Sequence, residues 1–264
     1  MLINVLKECW QNRDQISRIA QIQLKIQYSS TKLKLFWTFL NPAIQVLIYW
    51  LVFNIGMQVR SAVEGVPYIA WMYTGLAPWL FISSALVSGA GSIVAMRSVV
   101  MNMKYPLSTI PVASVSTEVS AHLLNMVVLV IVQLICGVRY DWNIFGLVYF
   151  IFCAWCFLVS YSLLFSALNV IVRDTQRTIQ AILRLLFYLT PIAWMPQENT
   201  IMADIMRWNP FFYIIEGYRG SMLMAGSYNL TLTQHVYFWL LTFVMFISGC
   251  IVHMTLRPKF ADYL

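Results

Sequence analysis

The sequence predicts an all-α membrane protein. Six transmembrane helices are expected, with an amphipathic interfacial helix ahead of them and short re-entrant helices between spans five and six. Three observations carry this. Of 264 residues, 60% are hydrophobic and only 10% charged, where a soluble domain carries ~25% charge. Six apolar stretches approach or exceed the roughly 20 residues that cross a hydrocarbon core ~30 Å thick. The basic residues fall unevenly between the connections. One aqueous core cannot bury this much apolar surface. The composition excludes an ordinary soluble enzyme, a secreted disulfide scaffold and a disordered chain.

Residues 1–35 form a basic segment with Lys7, Arg13, Arg18, Lys25, Lys32 and Lys34, and no apolar run long enough for a signal peptide. From Ile16 the apolar residues Ile16, Ile19, Ile22 and Ile26 recur at spacings of three and four, with Gln15, Arg18, Gln21 and Lys25 opposite. This is an amphipathic helix, lying on the membrane or packed on protein. The transmembrane domain fills 36–264, with spans at about 36–57, 68–95, 110–137, 144–172, 177–195 and 234–256. Gly75, Pro78, Gly89 and Gly91 interrupt the second span, which is expected to bend.

An even number of spans places both termini on one side. With that side cytoplasmic, 13 basic residues are inside and four (Arg60, Arg139, Arg207, Arg219) outside, as the positive-inside rule requires. The expected location is the plasma membrane, multi-pass, with both termini in the cytoplasm.

The chemistry of a soluble catalyst is missing. There is no G-x-x-x-x-G-K-[ST], H-E-x-x-H, paired-Cys zinc pattern or G-x-S-x-G. Cys153 and Cys156 form a C-x-x-C inside an apolar helix, where small packing residues are expected. No catalytic, cofactor or metal residue is assigned.

Polar groups within spans are functional candidates because each is costly in lipid. Glu118 and His122 lie four apart on the third span and share a helical face. They are read either as lining a path or as a neutral hydrogen-bonded pair that fixes packing. Arg184 lies about two turns into the fifth span, with a stem long enough to snorkel.

Two connections have docking character. Residues 97–106 can form a short helix on the cytoplasmic face, ended at Tyr105-Pro106. Arg97, Val100, Met101, Met103, Lys104, Tyr105 and Pro106 suit a partner's groove, or form a simple connection. Val172-Arg173-Asp174-Thr175 is a tight turn in which Asp174 or Thr175 caps the fifth span. On the outer side, 196–233 is too apolar for a solvated loop. Two short helices broken at Asn209-Pro210 are expected, dipping into the membrane, with Glu216 and Arg219 three apart and able to neutralise each other.

In this order the features resemble the membrane subunits of ATP-binding-cassette polysaccharide exporters. The resemblance spans nearly the whole chain. It rests on Phe36-Trp-Thr-Phe-Leu-Asn-Pro42, Val172-Arg-Asp174 and Asn209-Pro-Phe-Phe-Tyr-Ile-Ile-Glu-Gly-Tyr-Arg219. Within the family, Trp37–Pro42 followed by Tyr49–Gly56 is most similar to the wall teichoic acid exporters; O-antigen and capsule exporters are the alternative. The resemblance implies a homodimeric permease on two copies of a separate ATPase chain, which binds the ATP and magnesium. It implies a coupling helix at 97–106 and further cytoplasmic contacts through Arg13, Arg18, Arg173 and Asp174. It implies a lipid-linked glycopolymer as cargo, lipid as surroundings and no nucleic acid.

Aromatic residues make up 15% of the chain. Tyr28, Phe36, Trp37, Phe39, Trp71, Tyr73 and Trp79, with Glu118 and His122, are candidates for a sugar path, although membrane aromatics also form interfacial belts. Trp208, Asn209, Pro210, Glu216 and Arg219 make a candidate outer gate. Two other classes stay open: a membrane-embedded lipid or sugar transferase, which needs an acid cluster, and a secondary transporter, which typically shows two matching halves.

Overall fold

A computed structural model describes residues 2–29, 34–59, 65–102, 106–138, 142–196, 200–223 and 230–264. The described residues are helical and contain no strand. Two short-loop helices, α1 (Leu2–Gln11) and α2 (Arg13–Ser29), precede the membrane domain. Helix α3 (Lys34–Trp50) continues through a π-helical turn, Leu51–Gly56. Then follow α4 (Tyr68–Ala95), α5 (Arg97–Asn102), α6 (Thr109–Ile135), α7 (Ile144–Ile171) and α8 (Thr175–Leu189). After them come α9 (Ile201–Arg207), α10 (Pro210–Met222), α11 (Leu232–Leu256), a 3-10 turn Arg257–Lys259 and α12 (Phe260–Tyr263).

Four helices among the described residues are long and apolar enough to cross a bilayer: α4, α6, α7 and α11 with its 3-10 extension. The other two expected spans are shorter. In α3 and its π-turn the apolar part is Leu40–Gly56. Helix α8 has 15 residues, about 22 Å at 1.5 Å per residue, and ends six residues before the expected boundary at 195. Pro191 explains this: it disfavours helix at Thr190, which adopts φ −101°, ψ 135°. The second span runs through Pro78 as one helix from Tyr68 to Ala95.

The core is built on α4 and α7, which pack on each other and on α6, α11 and α10. Small residues let the helices approach, as is usual in membranes. A Cβ at Gly249 would lie 3.0 Å from the Ser160 carbonyl oxygen, so α11 meets the α7 backbone directly. Helix α10 is wedged between α4 and α7 and is buried from Phe211 to Arg219. Asn209 caps it by accepting from the Phe211 amide at 2.9 Å, with Pro210 at the first turn.

A second, smaller core lies at the basic end of the bundle, where Ile93, Ile110, Ala167 and Val170 pack around Phe260 and Leu264. There α1 turns Val5 inward and leaves Ile3, Leu6 and Trp10 exposed, an apolar edge suited to the lipid interface. Helix α2 packs along α6, with Ala20 buried, Ile16, Gln23 and Leu24 half-buried, and Ile22 54% exposed. The inward stripe is thus rotated from the expected 16–19–22–26 face, and Gln23 accepts from Thr117 Oγ1 at 2.9 Å.

Candidate functional site: a polar membrane face and a buried latch

The groove where α4 meets α8 brings a few polar side chains to membrane depth on a largely apolar wall. Leu80, Ser83, Ser84, Val87 and Ser88 of α4 line it with Gln180 and Leu183 of α8, enclosing about 490 Å³. Leu80, Ser84, Val87 and Ser88 fall on one face of α4 at spacings of three and four, as Gln180 and Leu183 do on α8. The exposed Ser84 donates to Glu118 Oε2 of α6 at 2.7 Å, which places the half-buried carboxylate at the groove's edge. Counting 1.5 Å per residue, Ser84 and Glu118 lie about 14–16 Å from the basic ends of their helices, near the middle of a ~30 Å core. An ionised carboxylate facing hydrocarbon there costs ~2.5–3.5 kcal/mol on insertion scales. The hydroxyl of Ser88, another residue of the wall, is buried and has no hydrogen-bond partner among the described residues.

Glu118 and His122 do not pair. His122 is buried, stacked on Phe81 at 4.7 Å, with its Nε2 2.9 Å from the Tyr218 hydroxyl of α10. The i,i+4 face is shared, but neighbours on two different helices claim the two side chains. Further buried contacts join α4 to α6: Tyr73 donates to Asn125 at 2.7 Å, and Gln133 to Thr74 at 3.0 Å. Trp71, Tyr73 and Trp79 are 1%, 0% and 4% exposed, so in this conformation their rings fill the core and meet no passage. Tyr28, Phe36, Trp37 and Phe39 lie on helical backbone, and their side chains fall outside the described residues.

Away from the basic end, Arg219 joins three elements. Its Nη1 donates to Glu216 Oε1 at 2.7 Å and to the Pro191 carbonyl at 2.8 Å; Nη2 donates to the Ile192 carbonyl at 2.6 Å. The guanidinium lies 4.0 Å from the centre of the Trp71 ring and against Gly75, where a Cβ would be 2.6 Å from Nη2. The expected Glu216–Arg219 pair thus exists and also satisfies carbonyls freed where α8 stops. Asn209 adds a second tie, donating to Thr190 Oγ1 at 3.1 Å. Trp208 is half exposed and meets Tyr237 edge-on at 4.9 Å. Close by, Trp239 donates to the Tyr149 hydroxyl, which is 3.1 Å from that of Tyr213, itself 2.6 Å from His235 Nδ1.

At the basic end, α5 exposes Arg97 and Met101, while Val100 packs on the second core. Met103, Lys104 and Tyr105 lie outside the described residues, and Pro106 is half-buried. Helix α1 clamps the start of α6 to the end of α11. Glu8 accepts from Ser108 Oγ at 2.7 Å and pairs with Arg257 at 3.1 Å. Burial, with the Glu8 charge adding to it, pushes the Cys9 thiol up to about 11. Arg13 stands 5.5 Å over the Trp10 ring, and Arg18 is exposed. Arg173 donates to the Tyr263 carbonyl. Asp174 sits at the N-cap of α8 but makes no cap hydrogen bond; it pairs with Arg177 at 3.5 Å. The capping acceptor is Asn169, whose Oδ1 receives the Gln176 amide at 3.1 Å.

Residues 14–223 match the family described as ABC-2 type transporter. Over 221 residues the chain is 25% identical to the O-antigen export system permease protein RfbA of Myxococcus xanthus, covering 83% of this chain and 84% of that one. Over 259 residues it is 27% identical to the O-antigen export system permease protein RfbA of Klebsiella pneumoniae, covering 93% of each. The chain belongs to the ABC-2 type transporter family of membrane permeases.

Proposed function

We propose that the chain is the permease subunit of an exporter that carries a lipid-linked polysaccharide of the O-antigen type outward across the plasma membrane. Two copies form the passage, and two copies of a separate ATPase chain drive it. The O-antigen reading replaces wall teichoic acid as the favoured cargo, because both relatives bear O-antigen export names over most of their length. The observation that carries the passage is the open groove at Ser84, Glu118 and Gln180: a carboxylate, a hydroxyl and an amide uncovered at membrane depth call for a polar partner. A second copy with sugar and water between the two supplies one.

In this reading the basic end is cytoplasmic, as the distribution of Lys and Arg favours. Residues 97–106 seat in the ATPase, with Arg13, Arg18, Arg173 and Asp174 near that contact. Motion of 97–106 reaches Ser108 within two residues, and from there passes to α1 and α11 through Glu8 and Arg257. Trp208, Asn209 and Pro210, with the Glu216–Arg219 pair, form the outer gate.

The test is affinity purification from the native membrane. The proposal expects an ATPase chain to co-purify, with turnover stimulated by lipid-linked polysaccharide. Transport by the purified chain without a nucleotide-hydrolysing partner refutes it.

A further inference from the structure

We infer that the groove at Ser84 and Glu118 reads sugar hydroxyls and turns away phosphate-rich polymers, so that Glu118 is a specificity-determining residue of the passage. This rests on the exporter reading above and assigns the substrate class to its wall. The groove's exposed polar side chains are Ser84 and Gln180, with the Glu118 carboxylate at its edge; Ser83 donates to the Leu80 carbonyl and the Ser88 hydroxyl is buried. A hydroxyl both donates and accepts, an amide does both through separate atoms, and a carboxylate only accepts. A neutral, polyhydroxylated chain satisfies such a wall from any register, because every sugar unit brings both donors and acceptors. A polyol phosphate brings an anion at each repeat, which meets Glu118 as a like charge, and like-charge juxtaposition is how binding sites reject a competitor.

Three details support the assignment. Ser84 holds one oxygen of Glu118, Oε2, at 2.7 Å, and the carboxylate residue is only half-buried. Gln180, exposed on α8, brings both a donor and an acceptor to the same groove. Among the described residues no ion pair joins Glu118 to a basic residue of α8: Arg177 pairs with Asp174, and neither Arg177 nor Arg184 is part of the groove's wall.

The experiment uses the permease–ATPase complex in proteoliposomes, with two probes on the same lipid carrier: a neutral hexose polymer and a poly(glycerol phosphate) of matched length. Wild type is expected to move the neutral polymer about tenfold faster. Glu118→Gln should raise poly(glycerol phosphate) transport about tenfold and lower neutral transport two- to threefold, as a charged acceptor becomes a neutral one. Glu118→Asp, which keeps the charge, should keep the rejection. Arg184→Gln should leave the ratio as in wild type. Thermal melting of each complex separates these effects from misfolding. Equal wild-type rates for the two polymers, or an unchanged ratio in Glu118→Gln, overturn the assignment and leave the exporter reading standing. Movement of neither polymer by wild type overturns both.

Discussion

Arg219 donates to Glu216 at 2.7 Å, and the same guanidinium holds the Pro191 and Ile192 carbonyls. One side chain therefore closes the end of α8, neutralises a carboxylate on its own helix and packs on Trp71 and Gly75 of α4. Buried ion pairs contribute little net stability over an apolar substitute, but breaking one is costly because a charge is left stranded. Arg219→Ala should destabilise the protein by about 3–5 kcal/mol, read as a lower melting temperature in detergent. Arg219→Lys should rescue little, since a point charge cannot hold two carbonyls and a carboxylate in one plane. Wild-type melting in Arg219→Ala would show the pair to be dispensable.

Gly75 tests the same latch from the other side. A Cβ there would lie 2.6 Å from Nη2 and 3.0 Å from Cζ, so Gly75→Ala must displace the guanidinium. A cost of about 1–3 kcal/mol is expected from overpacking. In an Arg219→Met background that cost should shrink, and a double-mutant cycle on melting temperatures measures the coupling.

Tyr218→Phe removes the hydroxyl 2.9 Å from His122 Nε2. Buried and stacked on Phe81, with Nδ1 already unpartnered among the described residues, His122 then loses its hydrogen bond at Nε2 as well, a loss of about 1–3 kcal/mol. His122→Phe strands the buried Tyr218 hydroxyl instead, so the double substitution His122→Phe/Tyr218→Phe should be milder than the sum of the two single ones.

The α1 clamp is open to chemical labelling. With its thiol pushed up to about 11, Cys9 is almost wholly protonated at neutral pH. The thiolate, not the thiol, adds to the maleimide double bond, so labelling should be slow at pH 7 and rise about tenfold per pH unit towards that value. In a background lacking the other four cysteines, Arg257→Ala should speed labelling by freeing Glu8 and loosening α1. Its effect on stability should stay within about 1 kcal/mol, since the pair is partly exposed. Fast wild-type labelling at pH 7 would contradict the clamp.

The long apolar helices were legible in the sequence because lipid imposes length and composition on a span at once. So was the α9–α10 break, where Asn209 and Pro210 bring a cap and a first-turn proline side by side. The end of α8 was legible in principle from Pro191, but the apolar run from Ile192 to Met195 masked it. Neighbours proved harder to read than elements. Glu118 and His122 share a face, yet one turns to Ser84 and the other to Tyr218, nearly a hundred residues on. The serines of α4 gave little signal, since a serine in an apolar helix can bond its own backbone, as Ser83 does to Leu80. Only the arrival of Gln180 across from them makes a groove.

The central claim is ATP-driven passage of a lipid-linked polysaccharide through a pair of these chains. The most direct measurement reconstitutes the permease with its ATPase in proteoliposomes and follows labelled glycan reaching the face opposite the ATPase. The account predicts transfer that needs ATP and stops with a hydrolysis-dead partner. Transfer at the same rate with that partner, or none with any lipid-linked polymer despite active ATP hydrolysis, contradicts it.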